Sequence, residues 1–232
     1  MPRIPTLVPT TARDETFGEV TYHVEGELVP VLHIELSRMP VYFEHHVLLW
    51  KNPEVDIRLK PLKGALKRML AGLPVFIAAA EGPGNIAFSR DGVGHVFGLH
   101  LNSGQAIDVR EHQFLAATDN VDYHFTRVRG AANMLFGGTG IFIDTFHCAD
   151  SPGVVWLHGY GNVFEVDLGP GEMIDVEPGG WIYKDTSVQM QTIFQKLSAS
   201  LFGSGGQIFW NRFSGPGRVA IQSMYYHLPT SE

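Results

Sequence analysis

The chain has 232 residues, a formal net charge of −7 and only 18% charged residues, values that exclude extended disorder and argue against nonspecific nucleic-acid binding, which requires phosphates to be neutralised by Lys and Arg. Its single cysteine, Cys148, excludes an internal disulfide framework and fits a reducing, cytoplasmic compartment. No apolar run approaches a membrane span, and the N-terminus lacks a basic-then-apolar leader.

Residues 1–16 read as a disordered N-terminal arm, with three prolines and no apolar periodicity in the first eleven. From 17 to 226 the pattern is that of one compact body, and 227–232 is a tail. Alternation dominates from the start, as in Thr21-Tyr22-His23-Val24-Glu25 and Leu32-His33-Ile34-Glu35-Leu36, so every second side chain suits one face of a sheet. Next comes a basic stretch, Lys51, Arg58, Lys60, Lys63, Lys67 and Arg68, interleaved with Leu62, Leu66, Met69 and Leu70. It is the candidate contact for an anionic membrane surface or an acidic partner, with a solvated connection as the plainer reading. Short helical pieces are expected at 62–70 and 193–202, each ahead of a glycine.

A repeat of about 67 residues organises the rest. Gly104-Gln105-Ala106-Ile107-Asp108-Val109 returns as Gly171-Glu172-Met173-Ile174-Asp175-Val176, and Phe114 and Val121 return as Trp181 and Val188. An apolar strand recurs as Val75-Phe76-Ile77, Ile141-Phe142-Ile143 and Ile208-Phe209-Trp210, each followed by a Gly/Pro turn. Two units, 60–126 and 127–192, read as complete. Residues 17–59 resemble a second half, with Val55 in the place of Val121, and 193–226 a first half, so the two chain ends are expected to pair into a third unit. Each repeat also carries an apolar glycine loop, Met69-Leu70, Leu135-Phe136 and Leu201-Phe202. The loop residues Leu135, Phe136, Leu201 and Phe202 are candidate oligomer contacts, the alternative being that they tuck under their own subunit.

The ordered set Lys63-Gly64-Ala65-Leu66-Lys67-Arg68, Phe136-Gly137-Gly138-Thr139-Gly140, Asp167-Leu168-Gly169-Pro170-Gly171-Glu172 and Phe213-Ser214-Gly215-Pro216-Gly217-Arg218 resembles the altered-inheritance-of-mitochondria family, member twenty-four, over about residues 20–225. That resemblance implies an all-β fold of duplicated short double-stranded β-helices, or β-sandwich barrels, of the tryptophan RNA-binding attenuation protein type. It also implies a homo-oligomer, a trimer, without established catalytic residues. The chain departs from the family where members carry an acidic residue in a Gly-Gly-Glu-Gly type loop, having Gly72-Leu73-Pro74, Thr139 and Gln207 instead. No repeated Lys-Lys-Arg element matches the RNA-binding relative.

Eleven histidines invite a metal reading. His95 and His100 do not have the His-x-His spacing of a metal cupin, however, and His45-His46 send neighbouring rings to opposite faces. The residues therefore indicate no metal or other cofactor. Cys148 reads as a structural thiol, because alternation turns its neighbour His147 away. Asp108 and Asp175 read as strand and turn hydrogen-bonding groups, and no nucleophile elbow, phosphate loop or dinucleotide fingerprint occurs. The expected function is that of a non-enzymatic, homo-oligomeric β-protein presenting a surface to a protein partner or an anionic membrane. A cupin-like metal enzyme and a small-ligand binder in a barrel mouth are the alternatives.

Overall fold

Alternating side chains and glycine turns fold the chain into antiparallel strands, in a computed structural model that describes residues 4–9, 14–62, 75–128, 141–196 and 207–224. The first strands are β1 (Thr6–Leu7), β2 (Glu15–Phe17) and β3 (Val20–Glu25). Three sets of six follow. The first is β4 (Val31–Leu36), β5 (Val41–Phe43), β6 (Leu48–Lys51), β7 (Asp56–Pro61), β8 (Phe76–Glu81) and β9 (Gly84–Phe88). The second is β10 (Gly94–Leu101), β11 (Ala106–Arg110), β12 (Phe114–Thr118), β13 (Asp122–Val128), β14 (Ile141–His147) and β15 (Gly153–Tyr160). The third is β16 (Val163–Leu168), β17 (Met173–Val176), β18 (Trp181–Asp185), β19 (Gln189–Lys196), β20 (Gln207–Ser214) and β21 (Gly217–Gln222). Among the described residues the only helical turn is a 3₁₀ turn at His45–Val47.

All three sets pair alike. The first strand lies on the sixth and the sixth on the third, as in β4-β9-β6, while the second lies on the fifth and the fifth on the fourth, as in β5-β8-β7. The same holds for β10-β15-β12 with β11-β14-β13, and for β16-β21-β18 with β17-β20-β19. Even the register shift in the third strand recurs, at Leu48/Trp50, Phe114/Ala116 and Trp181/Tyr183. The valines aligned in the sequence pack at one recurring corner. A Cβ on Gly84, Gly153 or Gly217 would come within 2.9, 2.5 and 2.9 Å of a Cγ2 of Val55, Val121 and Val188. Gly84 and Gly217 also have φ of +140° and +131°, which disfavour any other residue. At the same corner a side-chain oxygen of Asn52, Thr118 or Asp185 accepts the N–H of Asn85, Val154 or Arg218.

This pairing corrects three expectations. The pairing units are 31–88, 94–160 and 163–222, so the C-terminal half completes the block immediately before it and not the one at 17–59. Each sixth strand folds back on the first strand of its own set, and among the described residues no strand of 193–226 pairs with one of 17–59. Residues Ile193–Lys196, expected to be helical, belong to β19, where the partner strand β20 satisfies their backbone. Within the arm expected to be disordered, β1 lies along β16, with Val8 N–H donating to the Val163 carbonyl at 2.8 Å, and β2 forms a hairpin with β3. Most of the stretch expected to be helical at 62–70 lies outside the described residues.

Neighbouring sets are joined by their second and third strands. β12 pairs with β5 (Ala116↔Phe43, Ala117↔Tyr42, Thr118↔Val41) and β18 with β11 (Ile107↔Asp185, Asp108↔Lys184, Val109↔Tyr183). Each joint carries core side chains across the boundary. Leu115, Ala116, Val154 and Trp156 pack with Val41, Phe43 and Phe88, and Ile182, Tyr183 and Ala220 pack with Ile107, Val109 and Phe146.

Candidate functional site

A chain of three sets joined in this way leaves one third strand and one second strand over. These are β6 and β17, each at the end of its sheet among the described residues. The registers make Trp50 the counterpart of Ala116 and Tyr183, and Lys51 that of Ala117 and Lys184. Likewise Asp175 is the counterpart of Tyr42 and Asp108. The two edges therefore carry the complementary halves of a joint made twice elsewhere in the molecule.

The consequence shows in burial. Leu115 and Ile182, in the two made joints, are fully buried, whereas their counterpart Leu49 is 56% exposed, Trp50 is 42% exposed and Met173 is 60% exposed. Edge strands in soluble proteins usually carry protective charges. Here large apolar residues are exposed as well, Leu49 and Trp50 on β6 and Met173 beside the exposed Asp175 on β17.

Charge follows the same logic. In the second joint Lys184, itself buried, donates from Nζ to Asp108 Oδ2 at 2.7 Å, and Thr145 donates to Asp108 Oδ1 at 2.7 Å. In the first joint the same positions hold Ala117 and Tyr42, and the Lys60 ammonium lies 4.5 Å from the centre of the Tyr42 ring. On the free edges they hold Lys51 and Asp175, a cation and an anion with the same strand assignment as Lys184 and Asp108. Asp175 accepts from Arg212 Nε and Nη2, both at 2.7 Å, and these bonds hold its carboxyl below the usual carboxylate range, so the edge stays charged at neutral pH.

The basic segment is only partly within the described residues. Lys60 donates to Asp119 at 2.8 Å and Arg58 pairs with Glu81, so neither is a free surface charge. Lys63, Lys67 and Arg68 lie outside the described residues, as do Leu135, Phe136, Leu201 and Phe202. A cavity of about 240 Å³ beside Tyr42, Lys60 and Asp119 is smaller than the usual ligand pocket of roughly 300 Å³ or more. Cys148 is buried, and burial pushes its thiol up, away from the reactive thiolate. His158 is also buried, which together with nearby Arg90 pushes it down to about 4, so it is neutral at pH 7. His95 is lowered by burial as well, while His100 bonds Tyr22 at 2.8 Å.

The sequence repeat had already aligned Asp108 with Asp175. It missed Lys51 and Trp50, because β6 shares only scattered residues with the other third strands, such as Lys51 with Lys184, and the register shift is what aligns them. No helix among the described residues is long and apolar enough to cross a membrane.

A sequence model described as mitochondrial biogenesis AIM24 matches residues 22–224. No curated protein matches the chain. Among solved structures, the chain is similar to a Streptococcus pyogenes protein determined by X-ray crystallography in a structural genomics programme. The two share 19% identity with a TM-score of 0.68, over 89% of this chain and 94% of that one. At that identity the likeness establishes a shared fold.

Proposed function

Because the chain belongs to the mitochondrial biogenesis AIM24 family, whose name carries no reaction, we propose that it is a non-enzymatic, self-assembling β-scaffold. Its copies join by adding β6 of one to β17 of the next. The observation that carries this reading is the unmade joint, with Leu49, Trp50 and Met173 exposed and Lys51 matched to Asp175. Such a head-to-tail contact is heterologous and closes as a ring when its rotation allows. We propose the trimer as that ring, with each set of strands a short double-stranded β-helix of the tryptophan RNA-binding attenuation protein type. The lone buried Cys148 supports a reducing, cytoplasmic setting.

Charge exchange tests the assembly. Lys51→Asp and Asp175→Lys each place like charges across the joint, which costs several kcal/mol in an interface. Each alone should reduce the sedimenting mass from oligomer to monomer, and the double variant should restore it. A parent that is already monomeric, or single variants of unchanged mass, would refute the reading.

A second reading concerns the hairpin β7–β8. Leu59 and Phe76 are exposed near the end from which the connecting segment leaves, and Lys63, Lys67 and Arg68 belong to that segment. This combination of apolar and cationic groups supports contact with an anionic lipid surface. Changing those three cations to Glu should abolish salt-sensitive binding to phosphatidylserine vesicles. Equal binding before and after the change, or none in either, would exclude it.

A further inference from the structure

We infer that His23, Glu25 and His33 form a binding site for a first-row divalent cation, Zn²⁺ foremost, on the outer face of the β3–β4 hairpin. The placement follows from strand geometry. Tyr22 and Val24 point into the core, so His23 and Glu25, two residues apart, share the outer face of β3, and register puts His33 of β4 directly opposite His23. The two imidazoles stack with centroids 4.8 Å apart and planes within 15°. One ligand atom from each of His23, Glu25 and His33 lies within 4.8 Å of the others. Donors on one tetrahedral Zn²⁺ stand roughly 3.4 Å apart, given bonds of about 2.1 Å. Glu25 is exposed and His23 partly so, which leaves room for the donors to close the remaining distance.

Two surrounding features fit a ligand set better than a chance cluster. Asp14 Oδ1 lies 2.9 Å from His23 Nδ1, the carboxylate–imidazole arrangement that fixes a tautomer and leaves the other nitrogen as the metal donor. Asp14 is therefore a positioning residue. His33 Nε2 already stands 3.6 Å from Glu25 Oε2, close to the separation of two donors on one tetrahedral ion. Three protein ligands leave a coordination position to solvent, the composition of an open Zn²⁺ site. Trp50, tilted against His33 with centroids 5.7 Å apart, provides a built-in reporter beside the free edge β6.

Sequence reading missed this set because the ligands are near only across the hairpin. The alternation of His23 and Glu25 was visible, but the partner His33 is fixed by register and not by chain spacing.

The test uses the full chain without a histidine tag, stripped with chelator and titrated with ZnCl₂ by calorimetry, with NiCl₂ quenching of Trp50 emission as a second readout. One ion per chain is expected. His23→Ala and His33→Ala should each weaken binding by roughly a hundredfold or more, and Asp14→Asn by about tenfold or more, while His45→Ala leaves it unchanged. His33→Gln, closer in shape, serves if the alanine variant loses its far-ultraviolet dichroism. Absence of saturable binding in the parent, or unchanged affinity in a folded His33 variant, overturns the site. Unchanged affinity in Asp14→Asn overturns the positioning role.

Discussion

The two made joints, β5–β12 and β11–β18, differ from the free edges β6 and β17 in accessibility far more than in architecture. Leu115 and Ile182 are sealed where Leu49 is open, and Lys184 is locked onto Asp108 where Lys51, among the described residues, donates to the carbonyl of Asn52 at 3.3 Å. Equivalent positions thus carry equivalent chemistry under different conditions. The lesson is that a repeat of pairing, followed outward, ends in two complementary surfaces, and these define where another copy would fit.

Breaking the made joints should have the largest effects. Leu115→Asp puts a carboxylate among Val41, Phe43 and Trp156 and should unfold the chain or cost more than about 4 kcal/mol, whereas Leu49→Asp should leave the monomer as stable as the parent in urea. Equal destabilisation of the two would erase the comparison. Next in size, Lys184→Met leaves Asp108 with Thr145 alone and should cost about 3 kcal/mol, readable as a fall in the urea midpoint at constant slope. Lys51→Met should shift that midpoint negligibly in the monomer.

Acid should act on the sealed region first. Because burial lowers His158 from an ordinary 6.5 to about 4, the unfolded chain takes up a proton that the folded one does not. The associated stability is whole above pH 6.5 and declines as pH falls towards 4, by about 3 kcal/mol in all. His158→Gln should flatten that part of the stability curve, and an unchanged slope between pH 6.5 and 4 would show that another group is responsible. The smallest effect is at the edge. Asp175 has its pKa lowered by Arg212, so its contribution is present above the ordinary carboxylate range and lost only below it. Asp175→Asn should change monomer stability little at pH 7 while weakening assembly.

Strand content and the corner valines were legible in the sequence because both are written in local residue type. Alternation marks the strands, and Val55, Val121 and Val188 recur where a glycine of the sixth strand leaves room for a side chain. The phase of the units was not legible. A periodic chain can be cut anywhere, and only hydrogen bonding between β4 and β9, and not between β4 and β21, shows where each unit closes. The candidate edge was half legible. Asp175 could be found through Asp108, but Lys51 could be matched with Lys184 only after the register shift in each third strand was known.

If copies assemble by pairing β6 of one with β17 of another in the register of the made joints, Lys51 lies opposite Asp175. Cysteines at these two positions, introduced together and oxidised under mild conditions, measure it directly, since a disulfide forms only where Cα atoms come within about 7 Å. Covalent multimers are expected on a non-reducing gel and should collapse to one band on reduction, with neither Lys51→Cys nor Asp175→Cys alone producing them. Uncross-linked chains, or a bond closed within a single chain, would contradict it.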